Sequence, residues 1–218
     1  MRTHARVSIS ILFCFLLILF LLNLFLLTGC QGRPQEAAST PPVSAPTVAS
    51  DPPNAPENSH SMETILQSLL WQTFTSEDGS FAISMPGKPK GEQASSTSRF
   101  GKIGGTMYYI PGEEVAYIVG YNDYPADKAA HASSASLLED MVSAIRQKPG
   151  CEILDDHEVT LNRFPGRDLL ISYNRSTRIH ERLFWVHHRM YILNLTYKQM
   201  QDYSKETARF FDSFKLLK

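Results

Sequence analysis

The sequence predicts an α+β fold in which an antiparallel β-sheet is flanked by helices. Two observations support this prediction. Beyond residue 70 most segments alternate apolar and polar residues between turns, which is typical of strands that bury one face. Other segments repeat apolar residues every three or four positions, as amphipathic helices do. Strands in series with separate helices characterise α+β proteins, in which the helices cover at least one face of the sheet.

The chain begins with the features of an export signal. Two arginines precede an almost unbroken apolar run from Ile9 to Leu27. The run closes with Leu27-Thr28-Gly29-Cys30, which resembles the lipobox of bacterial lipoproteins. The resemblance implies that residues 1–29 are a cleaved signal peptide and that Cys30 carries a lipid. The alternative is a retained transmembrane helix, since the run approaches the roughly 20 residues that span a bilayer.

The lipobox resemblance also implies a location. The Cys of a lipoprotein carries a diacylglyceryl group and often a third acyl chain, and two or more chains form a stable anchor. The expected partner of Cys30 is therefore the bilayer of a bacterial membrane, with the protein facing the periplasm or the cell exterior. An Asp directly after the Cys tends to retain such proteins in the inner membrane. Gln31 stands there, so an outer membrane is preferred.

Residues 30–60 are predicted to be the lipidated N-terminus and a disordered tether. The segment from Gln31 to His60 contains seven prolines and no aromatic residue. Such a composition buries too little apolar surface to offset the entropy of ordering. At a polyproline rise of about 3.1 Å per residue, 30 residues reach at most about 90 Å. The tether therefore lets residues 61–218, the predicted single domain, explore a wide volume above the membrane.

The domain is predicted to open with a short amphipathic helix from Met62 to Leu70 and a β-hairpin. The hairpin strands are Trp71 to Ser76 and Phe81 to Met85, and Glu77-Asp78-Gly79 forms the turn. The sequence Pro86-Gly87-Lys88-Pro89 ends the second strand, because proline has no N–H for a sheet ladder.

Three segments follow that we interpret as strands. Glu92 to Arg99 is polar and suits at most an edge strand, whereas Thr106 to Ile110 and Glu114 to Asn122 have stronger apolar alternation. The last of these places Ala116 and Gly120 on one face. Small residues on that face allow a helix to approach closely.

A second helix is predicted from Ser136, because Ser136-Leu137-Leu138-Glu139 has the form of a capping box. Its apolar face extends to Ile145, and Lys148-Pro149-Gly150 ends it. A last amphipathic element begins near Ser204 and continues to the end of the chain.

Between these two elements the alternation predicts four strands. They are Glu152 to Leu161, Arg167 to Asn174, Thr177 to Val186 and Met190 to Tyr197. The expected connections are Arg163-Phe164-Pro165-Gly166, Asn174-Arg175-Ser176 and His187-His188-Arg189.

Several of these motifs together resemble the PsbP/Mog1-like superfamily. They are Trp71, Phe74, Gly79, Phe81, Met85-Pro86-Gly87-Lys88-Pro89, Phe164-Pro165-Gly166-Arg167 and Phe210-Phe211-Asp212-Ser213-Phe214. The resemblance covers most of residues 62–218 and implies an antiparallel sheet sandwiched by helices, with a lipoprotein anchor in some bacterial relatives. Proteins on this fold mostly act as accessory or binding modules. Photosynthetic members tend to have an aromatic residue where Pro86 to Pro89 stands, so a role at an oxygen-evolving complex is not expected.

The net charge argues against a nucleic-acid partner, and the cysteine content excludes a disulfide within the predicted domain. The chain has 21 Lys and Arg against 22 Asp and Glu, and residues 1–29 remove two arginines, which leaves 19 minus 22, or −3. This balance argues against a nucleic-acid partner, which needs a basic surface. Cys151 is the one cysteine of the predicted domain, so the domain has no internal disulfide. We expect an inert thiol there.

Four residues are weak candidates for metal ligands. Asp155 and His157 share one face of a predicted strand, and His187 and His188 fall in a predicted turn. Each pair supplies fewer ligands than the three or four that zinc takes from proteins. The sequence therefore predicts neither a metal nor another cofactor.

Catalytic motifs are absent from the sequence. It contains no GxSxG, P-loop or dinucleotide fingerprint. His180-Glu181 begins like a metalloprotease helix, but Phe184 stands where the second His is required. We therefore expect a non-enzymatic, membrane-anchored accessory or binding module for a membrane or envelope protein complex. The alternatives are a small-ligand or metal-binding lipoprotein, and a hydrolase with a dispersed active site.

Overall fold

The computed structural model describes residues 71–218, which contain ten strands and three helices. The strands are β1 (Trp71–Thr75), β2 (Phe81–Pro86), β3 (Lys90–Ser98), β4 (Gly101–Ile110), β5 (Val115–Asp123), β6 (Cys151–Leu161), β7 (Phe164–Tyr173), β8 (Thr177–Val186), β9 (Arg189–Lys198) and β10 (Lys215–Leu216). The helices are α1 (Ala126–Ala129), α2 (Ser134–Arg146) and α3 (Ser204–Asp212). The predicted signal peptide, Cys30, the tether and the helix from Met62 lie outside the described residues.

The strands form two antiparallel sheets. Seven strands pair in the order β3-β4-β5-β9-β8-β7-β6, and a smaller sheet has the order β1-β2-β10. Two meanders, β3 to β5 and β6 to β9, meet where β5 pairs with β9. The α+β class and the antiparallel pairing are as predicted. The smaller sheet contains the predicted β1–β2 hairpin, but its third strand and its separation from the large sheet were not foreseen.

One face of the large sheet, the α2 face, is packed mainly with aliphatic side chains. The buried residues of α2 are Leu137, Leu138, Met141, Val142 and Ile145. They pack on sheet residues that include Ile118, Leu169, Ile171, Ile179, Leu183 and Ile192. This is the helical face that the apolar spacing predicted, and Ala116 and Gly120 leave room beside it because they lack large side chains.

The opposite face, the α3 face, is covered by α3 and the smaller sheet. Its core is mostly aromatic and includes Phe81, Tyr117, Tyr191, Phe210, Phe211 and Phe214. Phe81 is fully buried and makes ring contacts with four other aromatic residues. Both faces of the large sheet are therefore buried, each by a different kind of element.

Arg189 fastens the smaller sheet to the large one. Its guanidinium contacts Asp123 on β5 with Nε to Oδ1 at 2.5 Å, and Asp78 in the β1–β2 turn with Nη1 to Oδ2 at 2.6 Å. It also lies 3.7 Å from the ring centroid of Tyr121. Burial opposes ionisation of Asp78, but hydrogen bonds from Arg189, Ser80 and other groups outweigh it and lower its pKa. The ionised Asp78 carboxylate therefore holds the β1–β2 turn against Arg189.

Two local predictions were wrong, and one short helix was not predicted. The N-cap of α2 is Ser133 and not Ser136: the Ser133 oxygen accepts a hydrogen bond from the Ser136 amide at 3.5 Å. The C-terminal element ends as a helix at Asp212, and Lys215–Leu216 then pairs with β2. The short helix α1 was not predicted.

The fourth correction concerns the β6–β7 connection. The turn is formed by Asn162 and Arg163, whereas Phe164-Pro165-Gly166 already belongs to β7. A Cβ atom at Gly166 would lie 2.3 Å from the Leu183 carbonyl oxygen. Glycine there lets β7 pass close to β8, so the motif that looked like a turn is a close strand contact.

Candidate functional site

Asp168 on β7 lies at the centre of a charge cluster on the α3 face. The strand register places it opposite Arg182 of β8 and diagonal to His180, which lies two residues along β8. His180 Nε2 lies 2.5 Å from Asp168 Oδ1, and Arg182 Nε donates to Oδ2. Both carboxylate oxygens therefore have a partner. We call these three residues, with Phe211 and Asp212, the Asp168 cluster.

The α3 helix covers this cluster. The ring of Phe211 lies 4.5 Å from the His180 ring, and the Arg182 guanidinium carbon lies 4.9 Å from the Phe211 centroid. Arg182 Nη1 also lies 3.3 Å from Asp212 Oδ1. The cluster thus joins the end of α3 to strands β7 and β8.

The environment keeps Asp168 ionised. Burial opposes the charge, but the hydrogen bonds from His180 and Arg182 outweigh burial and lower the pKa of this carboxyl. Its side chain is only 5% exposed. Both oxygens of this ionised carboxylate are engaged by charged or polar neighbours, so Asp168 orients His180 and Arg182.

A second polar group is buried on the α2 face. Glu181 lies among the aliphatic residues, and its Oε2 accepts a hydrogen bond from Asn194 Nδ2 at 2.9 Å. Thr196 donates to Asn194 Oδ1 at 2.9 Å. Glu181 Oε1 has no hydrogen-bond partner among the described residues. Burial raises the pKa of Glu181, and the hydrogen bond from Asn194 and the charge of Lys148 oppose that shift.

An open cleft lies where β6 begins and β7 ends. It has a volume of about 420 Å³. Its lining residues are Gly150, Cys151, Glu152, Ser172, Asn174 and Arg175. The Asn174 amide donates to the Gly150 carbonyl at 2.9 Å, and Arg178 Nη1 donates to Ser172 Oγ at 2.8 Å. These two hydrogen bonds hold the Gly150 backbone and the Ser172 hydroxyl in place at the border of the cleft.

The cleft has binding groups but lacks an activated nucleophile. Burial raises the pKa of the Cys151 thiol, so the neutral thiol predominates near pH 7 and reacts slowly. Arg175 supplies a cation and Glu152 a carboxylate. Asp168 and Glu181, the two carboxyl groups with shifted pKa values in the sheet, are not among the lining residues. This donor set suits a small polar ligand.

The four candidate metal ligands fall in two separate places. Asp155 and His157 share a face of β6 as the alternation predicted, with His157 Nδ1 3.4 Å from Asp155 Oδ2. His187 and His188 form the β8–β9 turn, where the His187 ring packs against Phe164 at 5.0 Å. Within residues 71–218, no group of three or more His, Cys, Asp or Glu side chains is placed to hold a metal ion.

Sequence reasoning missed the Asp168 cluster and the buried Glu181. A charged residue inside an alternating strand can be seen in the sequence and could have marked these groups. Asp168 and Glu181 are both such residues. The partners of Asp168 and Glu181 depend on cross-strand register, which alternation alone does not specify. His180 was noticed only as an incomplete metalloprotease motif, and it lies on a strand.

None of the helices in the part of the chain from residue 71 onward is long and apolar enough to span a bilayer.

Comparisons with known proteins give structural likeness without sequence support. No protein-family model matches the chain, and no curated protein matches its sequence. The solution structure of cyanobacterial PsbP (CyanoP) from Synechocystis sp. PCC 6803 is 8% identical, covers 67% of this chain and 92% of its own, and has a TM-score of 0.42. A Pseudomonas aeruginosa protein of unknown function, named as a candidate regulator, is 9% identical, covers 63% of this chain and 90% of its own, and has a TM-score of 0.36. At these scores neither likeness supports an argument about function.

Proposed function

We propose that this chain is a bacterial lipoprotein whose sheet-and-helix domain acts as a non-enzymatic accessory or binding module for a membrane or envelope protein complex. The observation that carries the proposal is Leu27-Thr28-Gly29-Cys30 at the end of an apolar run. Lipid on Cys30 holds the chain at a membrane, and the Pro-rich segment places the domain at a distance from it. The PsbP/Mog1-like resemblance of the motifs supports an accessory role.

The chemistry of the described domain favours binding over catalysis. Asp168 is engaged by His180 and Arg182 through both oxygens, and Arg189 is engaged by Asp78 and Asp123. These strongly paired groups stabilise contacts between elements. A catalytic acid or base needs a free position facing a substrate.

Mass spectrometry of the protein purified from membranes tests the anchor. We expect a mature N-terminal peptide that begins at Cys30 with the mass of a diacylglyceryl group, and we expect Cys30→Ser to yield neither the lipid nor the cut before residue 30. Cys151→Ser is the matched control and should yield the same lipidated peptide as the native chain. An unmodified Cys30, or a peptide that reads through Leu27 and Thr28, contradicts the proposal.

Crosslinking in native membranes tests the accessory role. We expect the native chain to recover one defined membrane or envelope protein. Recovery of no partner, with the lipid on Cys30 established, would contradict the accessory role and leave the anchor intact.

The cleft favours one second candidate, a small-ligand-binding lipoprotein. Arg175 borders a cleft of about 420 Å³ that also presents Glu152, Ser172 and Asn174. A guanidinium and a carboxylate in one cleft suit a small ligand with both charges. Thermal shift with amino acids and small phosphates tests this candidate. The variant Arg175→Asn keeps a residue that tolerates the φ of 58° and should abolish any shift, whereas Arg163→Asn in the β6–β7 turn should keep it.

A further inference from the structure

We infer that the end of the domain at which the chain enters is a docking surface for a phospholipid bilayer, and that the cleft at this end takes a phospholipid headgroup with both a phosphate and an ammonium group. The inference rests on the proposed function in one respect, since the chain must be held at a membrane. Its evidence is the shared location of the chain entry, the cleft and an exposed apolar side chain.

The chain enters the described domain at the end where β7 turns into β8. Trp71, the first described residue, packs edge-on against Tyr117 with 5.5 Å between the ring centroids. Tyr117 lies near the start of β5, which is beside the end of β9 and the start of β8. The β1–β2 turn lies at the opposite end, where Asp78 contacts Arg189 at the start of β9. The link to Cys30 is therefore attached at the end that holds the β7–β8 turn.

A large apolar side chain projects from this same end. Met200, in the loop between β9 and α3, is 94% exposed. The Gln199 amide donates to the Ser176 carbonyl at 3.0 Å, which fixes this loop against the β7–β8 turn. The carboxylate of Asp202 is turned toward α3, because its Oδ1 accepts a hydrogen bond from the Ser204 amide at 2.9 Å. Met200 can therefore enter the acyl region of a bilayer, where burial of its apolar surface is favourable.

The cleft of about 420 Å³ adjoins this loop through the β7–β8 turn. Asn174 and Arg175 line the cleft, and the next residue, Ser176, is the one that accepts from Gln199. Arg175 has no ion-pair partner among residues 71–218, and the same holds for Glu152, the other charged lining residue. An exposed apolar side chain and an available guanidinium thus lie on adjacent loops.

The lining residues match a headgroup that carries two opposite charges. Arg175 offers a guanidinium to the phosphate oxygens. The buried Ser172 hydroxyl accepts a hydrogen bond from Arg178 Nη1 at 2.8 Å, so its own proton can be donated to a ligand oxygen. Glu152 offers a carboxylate to the ammonium group. Phosphatidylglycerol has no ammonium group and would leave Glu152 beside a phosphate, so phosphatidylethanolamine is the better match.

The opposite end of the domain supplies matched controls. Leu217 is 52% exposed, and its amide donates to the Ser80 carbonyl next to the β1–β2 turn. Arg163 lies in the β6–β7 turn at that end, with its guanidinium carbon 5.7 Å from the Phe164 centroid. Both ends therefore hold an exposed apolar residue and an arginine, and a test can compare like with like.

Photocrosslinking to lipid tests the docking surface. The full-length chain with Met200→p-benzoylphenylalanine would be purified from membranes and reconstituted in vesicles of phosphatidylethanolamine and phosphatidylglycerol. On irradiation the ketone takes a hydrogen atom from an acyl C–H bond, and the two carbons then join. The expected product is the tryptic peptide from Gln199 to Lys205 with the mass of one intact phospholipid added. Leu217→p-benzoylphenylalanine should give about tenfold less product. Equal yields at the two positions, or no product at residue 200, overturn the inference.

The mass of the added lipid tests the headgroup. We expect phosphatidylethanolamine products to exceed their share of the vesicle lipid, and Glu152→Gln should return the ratio to that share. Arg175→Asn tolerates the φ of 58° and should lower the total product about tenfold, because the phosphate loses a charged donor. Glu158→Gln and Arg163→Asn are the controls and should change neither quantity. A native product ratio equal to the vesicle composition overturns the headgroup assignment.

Free glycerophosphoethanolamine distinguishes a bilayer from a soluble ligand, because it carries the same two charged groups without acyl chains. Thermal stabilisation by this compound, with no lipid product at residue 200, assigns the cleft to a soluble ligand and overturns docking. The photoproduct does not require lipid on Cys30, since a chain retained by its apolar run is also held at a membrane. An unmodified Cys30 with a lipid product at residue 200 therefore contradicts the proposed lipoprotein and supports the docking surface.

Discussion

The two faces of the large sheet are stabilised by different chemistry. The α2 face is aliphatic and is covered by one helix, whereas the α3 face is aromatic and is covered by a helix and three short strands. Their polar groups differ as well. On the α3 face Asp168 has a partner for each oxygen, whereas on the α2 face one oxygen of Glu181 has no hydrogen-bond partner among residues 71–218.

The comparison shows that burial of a carboxyl has opposite consequences on the two faces. Asp168 gains charged partners, so its pKa falls and its ionised form stabilises the fold. Glu181 gains one neutral hydrogen-bond donor, so burial raises its pKa and its ionised form is costly. Burial opposes ionisation of both carboxyl groups, and the hydrogen bonds from His180 and Arg182 outweigh it at Asp168 only.

The largest expected effect concerns the aromatic core. Phe81→Ala should lower the free energy of unfolding by about 3–5 kcal/mol, because Phe81 is fully buried. Phe81→Leu should still cost about 2 kcal/mol, since aromatic pairs contribute about 0.5–1.5 kcal/mol beyond area. On the α2 face Leu169→Met keeps volume and should cost less than about 1.5 kcal/mol. Urea denaturation measures all three. Equal losses for Phe81→Leu and Leu169→Met would mean that ring contacts do not distinguish the faces.

The next effect concerns the Asp168 cluster. Asp168→Asn should cost about 1–3 kcal/mol at pH 7, because His180 and Arg182 lose a charged acceptor. The pKa of Asp168 is lowered in the folded state, so its stabilisation is present above the unfolded pKa and is lost as pH falls through the folded pKa. Unfolding measured between pH 2 and 7 should therefore show a flatter acid loss for the variant. Asp155→Asn, on the same face but exposed, should retain the native profile.

The third effect concerns Glu181, whose contribution to stability changes with pH in the opposite direction to that of Asp168. The pKa of Glu181 is raised by burial, so its contribution is fully present below the unfolded pKa and is lost as pH rises through the folded pKa. Glu181→Gln should match the native stability near pH 4 and exceed it by about 1 kcal/mol at pH 8. Urea denaturation at the two pH values measures the difference. An identical gain at both values, or the same gain for the exposed Glu158→Gln, would contradict the account of the α2 face.

The smallest effect separates two positions for the N-cap of α2, the helix that covers the aliphatic face. Ser133→Ala should cost about 0.5–1 kcal/mol, at the lower end for N-caps, because the hydrogen bond to the Ser136 amide is long at 3.5 Å. Ser136→Ala should cost nothing, since that residue lies inside the helix. Thermal unfolding measures both stability losses. A larger loss for Ser136→Ala than for Ser133→Ala would support the capping box at Ser136.

Much of the fold follows from residue periodicity. Alternation predicted β6 to β9 within a few residues, and the spacing from Leu137 to Ile145 predicted the buried face of α2. The smaller sheet could not be predicted, because β10 has two residues and pairs with β2 from the other end of the described chain. Two residues are too few to show a period.

The candidate site was harder to predict than the fold. Asp155 and His157 were expected to share a face, and they do. The contacts of Asp168 come from Arg182 and His180 across a strand pair, so they depend on register and on where α3 places Phe211. Alternation shows which face a residue occupies, but it does not show which residue of the next strand lies opposite.

The pairing of β10 with β2 has a consequence for synthesis. Lys215 and Leu216 close the small sheet against Ala82 and Phe81, so the aromatic core cannot be completed until residue 216 has left the ribosome. Long-range closure of this kind is slow relative to local helix formation. Until then, a nascent chain leaves Phe81 without its ring contact to Phe214.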